Sequence, residues 1–220
     1  RRDPSTAIAD DEHHTEVQAL IRDGDRLRGV HEWRRALHMY SDALCIIQTG
    51  DVKQIPLCTI YHRLGDLYLL DVGEPGIARG FYESALQNRP ESYQQGILLC
   101  RMAETYPAYR MGPHLARAVR FVNTRTEADL DAWVRYLEAM QAYCDVDYAR
   151  ARQLCDPIIV GPELPDDVMQ RVKHLHLTLA GIEHDGERIA AVASTTGQQV
   201  ADGHEHAALA VAYLESGFPR

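Results

Sequence analysis

Residues 62–90 read HRLGDLYLLDVGEPGIARGFYESALQNRP. Two short amphipathic helices around a turn account for this stretch, and it holds no group of residues suited to catalysis. Gly73, Pro75 and Gly76 in DVGEPG supply the punctuation. Glycine releases the end of the first helix and proline is pre-set for the start of the next.

Outward from this hairpin, the 3.6-residue apolar period of helices runs through nearly the whole chain, broken at short intervals by turn residues. It predicts helices over 13–29, 31–48, 56–71, 75–88, 91–107, 112–124, 127–144, 147–159, 166–183, 185–200 and 204–216. Thr126 with Asp129 resembles a capping box, and Asp166 after Pro165 reads as the cap of another helix. The only β-like run, PIIV at 157–160, meets Gly161 and Pro162 and reads as a helix end. Residues 1–12 are polar, contain Pro4 and read as a flexible arm. One helical domain over 13–216 and a tail at 217–220 complete the expected organisation.

Self-similarity is the informative signal. Tyr61, Leu64, Gly65 and Tyr68 lie on the first helix of the hairpin, and Ala78, Tyr82, Ala85 and Pro90 lie on and after the second. Leu20, Gly24, Leu27, Trp33, Ala36, Tyr40 and Ala43 occupy equivalent places upstream, with Asp23-Gly24 where a Leu-Gly pair is expected and one residue fewer in the turn. Tyr136, Ala139, Ala142, Tyr148, Ala151 and Cys155 repeat the spacing farther on, with Ala139 for the glycine and Cys155 for the second-helix aromatic. The small residues 24, 65 and 139 are 41 and 74 apart. Two intervals of about 37 fit the second gap, which places a degenerate unit near Met102-Ala103, paired with Ala116, and one further interval past 139 lands near Ala180-Gly181, paired with Ala190 or Ala191.

This pattern resembles the tetratricopeptide repeat, most strongly over residues 17–90. The resemblance implies an all-α solenoid of about five antiparallel helix hairpins coiled as a right-handed superhelix. It places Gly65 and Ala78 where the two helices approach closest. The period, longer than the usual 34 residues, is similar to that of the superhelical sensor regions of large bacterial signalling ATPases and transcription activators. First helices then line a groove that holds a peptide or partner helix. The matching positions are Gln18, Ile21, Asp25 and Arg28 in one unit and Thr59, His62, Asp66 and Leu69 in the next. Asp25 and Asp66 are one repeat apart and are expected to align on that wall. The subgroup that grips chaperone tails needs Lys and Asn where this chain has Ile21 and Asp25, so an anionic tail is disfavoured.

Composition agrees with a non-catalytic role. Apolar residues make up 45% and charged residues 25%, ordinary globular usage, and the net charge of −9 argues against a nucleic-acid surface and for a basic partner. Five widely spaced cysteines without a C-x-x-C pair read as reduced residues of a cytoplasmic protein. No apolar run reaches the roughly 20 residues of a membrane span. The chain begins at Arg1, which reads as a segment of a longer protein.

Searches for chemistry are negative. There is no phosphate-cradling G-x-x-x-x-G-K-[ST], no G-x-G-x-x-G after a strand and no G-x-S-x-G elbow. His174 and His176 point about 200° apart on a helix, and His204, Glu205 and His206 lack further ligands, as do His13 and His14. Asp10, Asp11 and Glu12 suit the start of a helix, and Asp145 and Asp147 suit a turn. Trp33, Tyr40, Tyr61, Tyr68, Phe81 and Tyr82 recur at repeat spacing and read as packing residues. The sequence therefore predicts a protein- or peptide-binding scaffold, the interaction part of a larger regulatory protein, with no enzyme activity, metal or cofactor. The alternative is a small-ligand effector-sensing domain.

Overall fold

The computed structural model describes residues 4–49, 57–125, 127–161 and 164–182, and every regular element among them is helical. In chain order these are α1 (Pro4–Gly29), α2 (Trp33–Thr49), α3 (Leu57–Asp66), which runs on as a π-helical turn (Leu67–Val72), α4 (Pro75–Gln87), α5 (Ser92–Glu104), α6 (Ala108–Val122), α7 (Ala128–Cys144), α8 (Tyr148–Ile159) and α9 (Asp166–Ile182). No helix among the described residues is long and apolar enough to cross a membrane.

Most predicted boundaries shift by a residue or two. The first is a larger correction: α1 starts at Pro4, inside the stretch read as an arm. Proline is tolerated at a helix start because the amide it lacks would have no intrahelical partner there, and nothing after it up to Gly24 breaks the helix. α7 is preceded by Glu127, which makes no side-chain cap bond. Thr126, the helices expected over 185–200 and 204–216, Ala190 and Ala191, His204–His206 and the tail lie outside the described residues.

The chain divides into two compact units, Arg1–Tyr106 and Pro107–Arg220. In the first, two apolar clusters share helix α3. Val17 and Leu27 of α1, Ala36, Tyr40 and Ile47 of α2, and Ile60, Leu64 and Leu67 from α3 and its π turn form one. Cys58 of α3, Ala78, Tyr82 and Ala85 of α4, and Leu98 and Met102 of α5 form the other. Each hairpin thus leaves a face for the first helix of the next to cover, and α3 is buried from both sides.

Gly24 and Gly65 are where the helices of a hairpin touch. A Cβ at Gly24 would lie 2.5 Å from Tyr40 Cε1, and one at Gly65 would lie 2.5 Å from Tyr82 Cε1. Ala78 faces the same core and is fully buried. The extra residue in the second hairpin is absorbed by the π-helical turn, which fits one more residue per turn than an α-helix, and by Gly73 in the left-handed conformation with φ 78°. His31 and Val146, with φ 60° and 63°, hold equivalent left-handed positions in the α1/α2 and α7/α8 turns.

In the second unit Met111, Leu115, Ala118 and Val122 form the buried stripe of α6. The α7/α8 hairpin closes with Ala139, Ala142, Ala151, Cys155 and Ile158 all buried. Asp147 caps α8 by accepting a hydrogen bond from the Arg150 backbone N–H at 3.1 Å. Val168, Val172 and Leu175 bury one stripe of α9, and the Cys155 thiol lies 3.7 Å from the Val172 carbonyl oxygen.

Candidate functional site

The residue after each close-contact glycine is an aspartate, and both aspartates carry the same set of partners. Tyr40 donates its hydroxyl to Asp25 Oδ1 at 2.6 Å, and Tyr82 donates to Asp66 Oδ1 at 2.8 Å. An arginine from the next first helix then approaches each carboxylate. Arg63 Nε lies 2.9 Å from Asp25 Oδ1, and Arg101 Nε lies 3.3 Å from Asp66 Oδ1. In both, the N–H is turned off the oxygen, so the contact is an ion pair without an aligned hydrogen bond. Glycine makes the room, tyrosine fills it, and its hydroxyl is satisfied by the carboxylate one residue along.

Asp66 is the more heavily used. It is only 7% exposed, Arg28 Nη1 sits 3.8 Å from its Oδ2, and His62 Nε2 lies 3.5 Å from its Oδ1. Arg28 also pairs with Asp71 within the π turn, so α1 is tied to the second hairpin from both ends of its guanidinium. Arg101 adds a 3.1 Å pair with Glu104 on its own helix.

Burial and the adjoining carboxylates push the Tyr40 and Tyr82 hydroxyls well above the usual phenol range, so both stay protonated donors. Burial lowers the His62 pKa; Asp66 opposes this, while Arg63, Arg101 and Arg28 add to it. His62 is therefore held as neutral imidazole at neutral pH. Arg28 is held charged more firmly than usual, because Asp71 and Asp66 outweigh its desolvation.

Of the eight positions expected to line a groove, four meet in this network: Asp25, Arg28, His62 and Asp66. They belong to the joints between helices, and buried Asp66 and His62 are not an open wall. Ile21 and Leu69 pack against the two apolar clusters. Gln18 is exposed and Thr59 half-buried, and neither joins the network. Asp25 and Asp66 thus occupy equivalent joints, Asp66 buried and Asp25 with its side chain 40% exposed. Sequence reading missed Tyr40 and Tyr82 as hydroxyl donors and Arg63 and Arg101 as the bridging cations. Their signal is a recurring R-x-[GA]-[DE] at 22–25, 63–66 and 101–104.

An open feature lies in the second unit. A trough of about 510 Å³ runs between α6 and α7 toward the start of α8, lined by Leu115, Ala116, Val119, Glu138, Gln141 and Arg150 among others. A second depression of about 420 Å³ continues it past Val134 and Leu154 and shares Val119, Glu138 and Arg150. None of the eight expected positions lines either.

In comparisons with known proteins the sequence matches no family model, no curated protein and no solved structure.

Proposed function

We propose that the chain is a non-catalytic binding scaffold, a tetratricopeptide-like α-solenoid that takes a protein or peptide partner as the interaction part of a larger cytoplasmic regulatory protein. The observation that carries this is the repetition of one joint. Glycine, aspartate, second-helix tyrosine and next-helix arginine recur as Gly24, Asp25, Tyr40 and Arg63 and as Gly65, Asp66, Tyr82 and Arg101. Hairpins that need the next first helix to finish their core stack in one dimension, and such arrays serve as extended binding surfaces. The charged groups of this network are spent on each other, so they hold helices rather than poise a reaction. A net charge of −9 favours a basic partner. The size of the trough favours a second reading, effector sensing, because small ligands are held in pockets of about 300–1,000 Å³.

Display selection of random 12-residue peptides on the full chain, followed by calorimetric titration of the enriched sequences, tests the proposal. One peptide per chain with micromolar Kd, weakening as salt rises, is the expected result. Enrichment no better than on an unrelated helical protein sinks it.

A further inference from the structure

We propose that the trough between α6 and α7 is a receptor for a basic side chain of a bound peptide, with Glu138 and Gln141 as its floor. This rests on the scaffold proposal and names the site and the chemistry of its partner.

The first helices show why the trough is open. Counted from the close-contact small residue, the positions five before, one before and two after face the preceding helix. On α3 they are Ile60, Leu64 and Leu67, all inside the first apolar cluster. On α5 they are Leu98, Met102 and Thr105, and the first two lie in the second cluster. On α7, counted from Ala139, they are Val134, Glu138 and Gln141. A carboxylate stands where Leu64 and Met102 seal the other joints and an amide where those joints have Leu67 and Thr105, and the facing helix contributes Gly112 and Ala116 between Leu115 and Val119. A Cβ added to Gly112 would meet nothing closer than Gln141 Nε2 at 3.6 Å.

Glu138 and Gln141 have no side-chain hydrogen-bond or ion-pair partner among the described residues, although both are half-buried. Nearby, Arg135 holds Asp131 at 2.8 Å, while Asp145, Arg120 and Arg150 of the trough have no ion-pair partner among the described residues. Half-buried polar groups beside apolar side chains are left to water here, and an ammonium or guanidinium can take that water's place. The apolar stem of Lys or Arg suits Leu115, Val119 and Ala142, which also line the trough. Arg120 and Arg150 stand on the walls, where the Arg120 Nε reaches only its own helix at the Ala116 carbonyl and the Arg150 guanidinium has no partner among the described residues. They suit carboxylates flanking the basic residue, so the occupant is a peptide with alternating acidic, apolar and basic side chains.

The test titrates the isotope-labelled full chain with acetyl-Glu-Leu-Lys-Leu-Glu-amide and with its analogue bearing norleucine for lysine, followed by amide NMR. Shifts confined to residues 112–120, 138–145 and 150 are expected, with about ten-fold weaker binding for the norleucine analogue and for Glu138→Gln, the loss of one charge-assisted hydrogen bond. Glu138→Leu, which copies Leu64, should abolish the shifts while raising Tm. Equal affinity for both peptides, or shifts that Glu138→Gln leaves unchanged, overturn the proposal. Display-selected peptides that bind on α1–α5 also overturn it and leave the scaffold reading standing, whereas a chain that binds no peptide loses both.

Discussion

The α3/α4 hairpin of the first unit and the α7/α8 hairpin of the second solve the same packing problem with opposite chemistry. In the first, Gly65 admits Tyr82, whose hydroxyl needs Asp66, whose charge needs Arg101. In the second, the equivalent positions are Ala139, Cys155 and Met140 and, on the next first helix two before Ala180 or Gly181, Thr178 or Leu179. A smaller second-helix residue lets alanine replace glycine, and without a buried hydroxyl no carboxylate is required. The four residues change as a set, as expected when each exists to satisfy the one before it. The buried polar version fixes register, because a hairpin displaced along its neighbour leaves Asp66 uncompensated. The apolar version tolerates displacement at lower cost, and this is the unit whose α6/α7 joint is left open.

The comparison breaks most directly at the glycine. Gly65→Leu drives a side chain into Tyr82, where even a Cβ is 2.5 Å away, so a loss of about 3 kcal/mol or more is expected in urea unfolding of the full chain. An unchanged midpoint would show that the helices do not meet there.

Next in size is the carboxylate. Asp66→Asn leaves Arg28 and Arg101 with less compensation in a buried site and should cost about 2–4 kcal/mol. Asp25→Asn makes the equivalent change where the side chain is 40% exposed and should cost about 1 kcal/mol or less. Equal losses at the two positions would mean that burial does not separate the joints.

How far this could be read from the sequence depends on which side of the helix carried the signal. Gly24, Gly65 and Ala139 were legible because a small residue at a fixed interval has a steric meaning that needs no partner. Asp25 and Asp66 are legible as a pair, but their partners at the joints are not. A charged residue on an amphipathic helix reads as solvated unless its partners are known, and those partners, Tyr40, Tyr82, Arg63 and Arg101, are 15 to 38 residues away. The trough was hidden for the converse reason. Glu138 looks like any surface glutamate until Leu64 and Met102 are seen at the same place. The start of α1 at Pro4 is hidden because proline both opens helices and breaks them, and the residue alone does not say which.

The same buried joint makes the first unit sensitive to mild acid. The His62 pKa is lowered in the folded state, so the unfolded chain binds the extra proton. The stabilising effect of keeping His62 neutral is complete above the unfolded value near 6.5 and is lost as pH falls below it. Unfolding midpoints measured from pH 7.5 to 5.5 should fall faster for the natural chain than for His62→Gln, by at most about 1.4 kcal/mol per pH unit, one proton's worth. Coincident pH profiles would show that the imidazole is not held neutral by this joint.

The smallest expected effect sharpens the comparison in the turns. The α3/α4 turn has Gly73 at its left-handed residue, while the α7/α8 turn places Val146 there with φ 63°. A β-branched side chain in that region crowds its own backbone, whereas glycine occupies it freely. Val146 is 67% exposed, so removing its side chain forfeits little packing. Against this, glycine gains more freedom in the unfolded chain, which offsets part of the relief. The balance should leave Val146→Gly more stable by about 0.5–1 kcal/mol, while the reverse change, Gly73→Val, should destabilise the first unit by a larger amount, because φ 78° there is combined with the preceding π-helical turn. Thermal unfolding of the two variants decides the matter: a destabilised Val146→Gly would mean that the turn is not under strain, and a neutral Gly73→Val would mean that the two turns are not equivalent.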